Sequence, residues 1–176
     1  MQNTFYKNVI KTDASKNIYI AGATLNDLNN YDIFVVKYNS KGELQWMNQY
    51  NGDGDGDDAA TGIFIDADEN VYITGTITTD SCRQMVNIKY DSGGTQVWLR
   101  AYNGSGNLYG SGADITGDTL GNVYITGFSY NGNLNSDVIT IMYDSTGNQK
   151  WLNNYHAMAP LNEVGVKVAY KGTDVL

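Results

Sequence analysis

The residues best suited to chemistry stand in one acidic run, in which aspartates alternate with glycines. Asp53, Asp55 and Asp57 are separated by single glycines. A hard cation such as Ca²⁺ prefers several oxygen ligands on a turning backbone, so this spacing suggests a calcium loop. The run departs from the usual pattern, because Asp58 replaces the loop glycine and Phe64 replaces the final glutamate. Two interpretations therefore stay open, a weak calcium site and a solvated connection.

Catalytic groups are sparse in the rest of the chain. His156 is the only histidine, and no serine or cysteine nucleophile is placed beside a base. Cys82 is the only cysteine, which excludes an internal disulfide and a multi-cysteine zinc site. The sequence predicts no enzyme, no catalytic residue and no cofactor other than possible calcium. A fragment of a propeller hydrolase, with acids brought together from different blades, is a third interpretation of the function.

Charge and composition restrict the partners. The 176 residues include 11 basic and 19 acidic ones, for a formal net charge of −8. Nucleic-acid binding needs lysine and arginine along the phosphates, so this balance argues against it and against anionic membrane surfaces. The chain is 41% hydrophobic, which predicts a buried core without insertion into a membrane. Residues 1–7 lack the apolar core of a signal peptide, so they predict no cellular address.

The elements that must position these residues follow from an internal repeat. A segment that begins at Asn17 returns at Asn70 and at Asn122, offsets of 53 and 52 residues. Self-similarity at such a period is the signature of a solenoid or propeller. Four other sets of residues recur at the same spacing: Tyr38, Tyr90 and Tyr143; Gly42, Gly94 and Gly147; Trp46, Trp98 and Trp151; and Tyr50, Tyr102 and Tyr155.

Each period contains four short segments rich in β-branched and aromatic residues. In the second copy we expect strands A to D over 62–66, 71–77, 85–90 and 95–102. Asp and Asn fill the A–B turn, and the C–D turn closes on a glycine, so the strands form an antiparallel meander with almost no helix. Both faces of strand C are apolar, as expected of a sheet packed between neighbours. The repeated tryptophans and tyrosines are therefore interpreted as packing between blades, not as a ligand cage.

At this point the residues resemble the bacterial β-propeller repeats called SBBP. The likeness rests on Asp-Ala-x-x-Asn-Val-Tyr-Ile-Thr-Gly, on Lys-Tyr-Asp-Ser-x-Gly-x-x-x-Trp and on Tyr-Asn-Gly-x-Gly, and it covers nearly the whole chain from Val9 onward. The resemblance implies an all-β fold of four-stranded blades and a bacterial protein that is extracellular or exposed on the cell surface. It implies no reaction.

The number of blades raises the question of what completes the ring. Blades are expected over 9–51, 62–103 and 113–155, with 165–176 as the start of a fourth. Known propellers close with about four to eight blades, and an open arc of three would leave two apolar faces uncovered. Either further blades of a longer chain or a second copy of this chain must cover them. We favour an assembly of at least two copies, with residues 166–170 as a strand that pairs across chains.

The meander places the B–C loops and the D–A connections on one side of the blades, where the copies differ most. Loops on a rigid scaffold are the usual place for binding residues. We expect a non-enzymatic module for protein–protein contact, with glycan binding by this loop side as the alternative. The candidate binding residues on this side are Asp27, Asn30, Tyr31, Asp53, Asp55, Asp57, Tyr109, Tyr130 and Asn131.

Overall fold

A computed structural model describes residues 7–54, 56–104, 109–131, 135–156, 162–172 and 174–175. These residues contain no helix, and their strands form three four-stranded antiparallel sheets. The all-β fold of three meander blades is confirmed. No helix in this part of the chain is long and apolar enough to cross a membrane.

Each blade is a meander whose strands follow one another in chain order. The first blade contains β1 (Val9–Thr12), β2 (Ile18–Leu25), β3 (Tyr31–Tyr38) and β4 (Leu44–Tyr50). The second contains β5 (Ala59–Ile65), β6 (Val71–Thr78), β7 (Arg83–Tyr90) and β8 (Gln96–Tyr102). The third contains β9 (Gly110–Gly117), β10 (Val123–Tyr130), β11 (Ser136–Tyr143) and β12 (Gln149–Tyr155).

Two expected strand positions differ from those in the structure. Strand β5 begins at Ala59 instead of residue 62, because Ala59 pairs with Thr76 and Ala60 with Gly75 across a register shift. An extra strand follows the third blade, but it is shorter than the one expected over 166–170. Only β13 (Tyr170–Lys171) is a strand there, and it pairs with β14 (Asp174–Val175).

An aspartate in each A–B turn explains why these turns repeat. Asp118 accepts hydrogen bonds from the backbone N–H and the side-chain amide of Asn122 and from the hydroxyl of Tyr124. Burial and the bond to Asp118 raise the pKa of Tyr124 to about 12, so its hydroxyl remains a donor. The same three bonds recur at two equivalent sets of residues: Asp13, Asn17 and Tyr19; and Asp66, Asn70 and Tyr72.

The core lies between the blades, and the blades stack in chain order. One cluster joins the first blade to the second, where Tyr19 and Ile33 meet Ile73 and Ile88. A second cluster joins the second blade to the third, where Tyr72 and Trp98 contact Ile125 and Ile141. We call the side of a blade that faces the preceding blade its leading face, and the opposite side its trailing face.

The contact between trailing and leading faces centres on a tryptophan. The indole N–H of Trp46 donates to the carbonyl of Ser92 (3.0 Å), and that of Trp98 donates to the carbonyl of Ser145 (3.3 Å). Each ring lies against the glycine of the next C–D turn: a Cβ at Gly94 would stand 2.8 Å from Trp46 Cδ2. The interpretation of these tryptophans as inter-blade packing is confirmed.

Candidate functional site

The leading face of the first blade is less covered at its two edges, by the residues that the structure describes, than its equivalents are. In the second blade a cross-strand row of apolar residues on this face, Ile63, Ile73, Ile88 and Leu99, packs into the core, and Ile73 and Ile88 are completely buried. The third blade repeats this row with Ile115, Ile125, Ile141 and Leu152. In the first blade the row is Ile10, Ile20, Val36 and Met47.

Two members of that first row stand in solvent. Ile10 is 62% exposed and Met47 is 61% exposed. Gly42, at the C–D turn on the same side, also differs from its equivalents, because a Cβ added there would meet no described atom within 4 Å. Gly94 and Gly147 each carry a tryptophan ring at that place. Val36, in the middle of the row, is 5% exposed. The open part of this face is therefore its two edges, at Ile10 and Met47, together with a tryptophan position at Gly42 that no described residue fills.

The trailing face of the third blade is partly open. Trp151 packs on Tyr124 of its own blade, with ring centroids 6.1 Å apart, and Asn153 beside it is exposed. Asn153 corresponds to Asn48 and Arg100, whose side chains donate to the carbonyls of Gly94 and Gly147. A groove of about 490 Å³ on this face is bordered by Thr126, Val138, Thr140, Trp151, Asn153, Gly165, Lys167 and Val168.

Residues after the third blade cover the inner part of this trailing face. The backbone N–H of Gly165 donates to the carbonyl of Gly127 (3.1 Å), and that of Val168 donates to Asp114 Oδ2 (3.1 Å). Val168 is only 8% exposed. It stands where the repeat places Ile63 and Ile115, so this segment occupies the position of a fourth strand A although it is mostly unpaired.

The loop side is built by contacts between the D–A connections and the starts of the C strands. The N–H of Asp58 donates to the carbonyl of Tyr31 (2.7 Å), and the N–H of Tyr31 donates to Asp57 Oδ1 (3.1 Å). The third blade repeats this pair of bonds: Glu163 N–H donates to the Ser136 carbonyl (2.8 Å), and Ser136 N–H donates to Asn162 Oδ1 (3.0 Å). The expectation that these loops share one side is confirmed.

The candidate binding residues on the first loops do not converge on one point. Asp27 and Asp53 are exposed, whereas Asn30 is 8% exposed and Tyr31 is half-buried in the contact with Asp57. Asp55 lies outside the described residues. No metal-binding group that includes Asp53 or Asp57 is found among the residues the structure describes, and the calcium hypothesis stays a prediction.

The aromatic candidates of the third blade do meet, although Tyr130 is the last residue of β10 and not part of a loop. Tyr109 lies 5.4 Å from the ring of Phe128 and 5.7 Å from that of Tyr130. Arg83 lies above the Tyr109 ring at 5.9 Å. Asn131 contacts Asp137 instead: its side-chain amide donates a hydrogen bond to Asp137 Oδ1 (2.9 Å).

Asp58, which the sequence analysis did not choose as a binding residue, is the buried acid of the first connection. Its carboxylate accepts hydrogen bonds from the N–H groups of Gly52 and Thr78, and the residue is fully buried. Burial raises the pKa of Asp58 to about 6, helped by the charges of Asp32 and Asp57 and opposed by the two N–H bonds.

We expect this pKa to be visible in the pH dependence of stability. Because folding favours the protonated form of Asp58, its contribution falls as the pH rises from the ordinary value of 3.8 to about 6. The free energy of unfolding of Asp58→Asn, relative to the natural chain, should therefore increase by up to about 3 kcal/mol between these pH values. Urea unfolding of both proteins at a series of pH values measures this difference, and a difference independent of pH would contradict the expectation.

A second cluster that sequence reasoning missed surrounds His156. His156 Nδ1 lies 2.8 Å from Asp137 Oδ1, and Glu163 lies beside them. Asp137 is 3% exposed and Glu163 is half-buried. The sequence analysis did not single out this group, in which two carboxylates accompany the single imidazole. One signal in the sequence could have found them: Asp137 and Glu163 repeat Asp32 and Asp58 at the same spacing.

Comparison with known proteins assigns this chain to no family. No family model matches the sequence, and no curated protein matches it. Among solved structures, a fucose lectin from Kordia zhangzhouensis in complex with methyl-fucoside is similar, with 14% sequence identity and a TM-score of 0.47. The match covers 86% of this chain and 100% of that chain. At this level of similarity the match supports no statement about binding.

Proposed function

We propose that this chain is a non-enzymatic propeller module that binds copies of itself, the trailing face of the third blade of one copy against the leading face of the first blade of the next. The proposal rests on two complementary positions at opposite ends of the stack of blades. Trp151 borders an open groove, whereas Gly42 has no tryptophan on it within the described residues. The chain makes the corresponding contact twice internally, through Trp46 and Trp98.

The internal contacts specify the geometry of the proposed interface. Trp151 of one copy lies against Gly42 of the next, and its indole N–H donates to the carbonyl of Ser40. Asn153 donates to the carbonyl of Gly42, as Asn48 donates to that of Gly94 (2.6 Å). Exposed apolar residues such as Ile10 and Met47 are typical of interfaces, because covering them removes apolar surface from water.

The segment after the third blade must be accommodated in this interface. It already covers the inner part of the trailing face, at the place where the next blade would put its strand A. Strand β1 is the shortest of the first blade, and three of its four residues are exposed. We propose that residues 165–171 replace β1 of the docking copy beside β2. Val168 then takes the place of Ile10 in the apolar row.

Contacts of this kind join unlike faces, so they continue until the ring closes. Two copies would contribute six blades, which falls within the about four to eight blades of closed propellers. Additional blades of a longer chain would use the same two faces. The proposal is that the chain itself supplies the partner.

Sedimentation velocity over a wide range of protein concentration tests the proposal. We expect the mass to rise from one chain to a closed assembly as the concentration passes through the micromolar range. Each chain carries a net charge of −8, so added salt should favour assembly by screening repulsion between copies. A single-chain mass at every concentration, including at high salt, would overturn the proposal.

Glycan binding by the loop side stays a prediction. Tyr109, Phe128 and Tyr130 pack their rings on one another, and Arg83 lies over Tyr109. These contacts account for the aromatic residues without a sugar. Self-association therefore explains more of the structure than glycan binding does.

A further inference from the structure

Three potential metal ligands from two elements of the third blade and the connection that follows it converge on one point. A ligand atom from each of Asp137, His156 and Glu163 lies within 4.8 Å of the other two. Asp137 is on β11, His156 directly follows β12, and Glu163 follows in the connection. From this cluster we propose a binding site for a divalent transition-metal ion, with Zn²⁺ the best-suited one.

The burial of the Glu163 carboxylate is an independent observation that points to a ligand. Both of its carboxylate oxygens are buried, and neither has a hydrogen-bond partner among the described residues. A buried carboxylate without a donor or a cation is costly, because it loses its hydration and gains nothing in return. No lysine or arginine of the described residues forms an ion pair with it. A metal ion would supply the missing positive charge.

Asp137, in contrast, is held in a fixed orientation. Its Oδ1 accepts from the side-chain amide of Asn131 (2.9 Å), and its Oδ2 accepts from that of Asn154 (3.2 Å). Hydrogen bonds of this kind from surrounding residues orient the ligands of metal sites. Asp137 Oδ1 and His156 Nδ1 already lie 2.8 Å apart, and a metal ion can be bound by the same two atoms.

The first blade provides an internal comparison in which the same positions need no ion. Asp58 stands where Glu163 stands, but both of its oxygens accept N–H groups, from Gly52 and Thr78. Asn51 stands where His156 stands. The corresponding positions of the second blade hold no metal ligand of this type: Gln84, Asn103 and Gly110. Of the three blades, only the third therefore combines an imidazole with a carboxylate that has no hydrogen-bond partner among the described residues.

The donor set favours zinc over calcium. Two carboxylates and one imidazole suit a borderline ion, whereas Ca²⁺ prefers six to eight oxygens. With ligand distances of about 2.0–2.2 Å, tetrahedral ligand atoms lie about 3.4 Å apart. The pair of Asp137 Oδ1 and His156 Nδ1, now 2.8 Å apart, must therefore open slightly while Glu163 moves closer, and the 53% exposed His156 side chain has room to move. Three protein ligands leave a fourth position for water or an external ligand.

Calorimetric titration of the full chain with zinc chloride tests the site. To remove a second soft ligand, the titration is done in the Cys82→Ser variant. We expect one zinc ion per chain. His156→Gln and Glu163→Gln should each weaken binding by at least about tenfold, since even the loss of a residue that only orients a ligand costs that much. Asp68→Asn, which removes an exposed acid in the A–B turn of the second blade, should leave the affinity unchanged.

The single histidine gives a second readout that does not depend on variants. Its imidazole carbon-bound protons form one set of NMR signals, so zinc bound at this site must shift or broaden that set. Absence of zinc binding would overturn the proposal. So would zinc binding that leaves the His156 signals unmoved, or that keeps its full affinity in Glu163→Gln.

Discussion

Replacing Met47 by lysine is expected to abolish self-association while leaving the single chain folded. Met47 lies in the apolar row of the first leading face and is 61% exposed, so a lysine there reaches water in the single chain. In the assembly the same charge would be partly buried against apolar residues, in the position that Leu99 and Leu152 occupy within the chain. The association constant should fall by about 100-fold or more, as measured by sedimentation.

Leu44→Lys is the matched control for this substitution. Leu44 lies on the same strand and is 58% exposed, but the equivalent positions in the other blades hold exposed glutamines, Gln96 and Gln149. A lysine at residue 44 should therefore leave the association constant nearly unchanged. Equal losses for the two variants would point to general charge repulsion and contradict the proposed interface.

Trp98→Ala is expected to cause the largest loss of stability among single substitutions in the chain. Trp98 is 6% exposed, and its ring lies 6.0 Å from those of Tyr72 and Tyr143. Truncation of such a side chain leaves a cavity between the second and third blades, at a cost of about 3–5 kcal/mol. Since stacked repeats are coupled only through neighbouring interfaces, the unfolding transition should also broaden.

Trp151→Ala is the internal comparison for this effect. Trp151 is half-buried and packs on Tyr124 of its own blade. At concentrations where the chain is single, its truncation should cost clearly less than that of Trp98, as measured by urea unfolding. Equal costs for the two variants would show that inter-blade contact does not account for the role of Trp98.

Much of the fold could be predicted from the repeat in the sequence. The A–B turns could be predicted because a local set such as Asp118, Asn122 and Tyr124 builds them. The ends of the C strands could be predicted because a tyrosine recurs there. The start of β5 at Ala59 could not, since alanines have little preference for strands and pairing across the sheet decides their conformation. Residues 165–169 contain the apolar alternation of a strand but lack strand pairing within the described structure.

The candidate sites were harder to predict from the sequence than the fold was. The acidic run drew attention to Asp53 and Asp57, whereas the buried carboxylate of that connection is Asp58. Its burial depends on β6, which folds back over the connection through Thr78. The cluster around His156 needs Asp137 from a strand 19 residues earlier, and only the folded meander brings it close. The open position at Gly42 became visible by comparing three blades in the structure.

A mixing experiment tests the head-to-tail contact most directly. Met47→Lys removes the leading face and Trp151→Ala removes the trailing face, so each variant alone should sediment as a single chain. In a mixture, one intact pair of faces remains, and a one-to-one complex of the two variants should form. Continued assembly of either variant alone, or a mixture that contains only single chains although the natural protein assembles, would contradict the account.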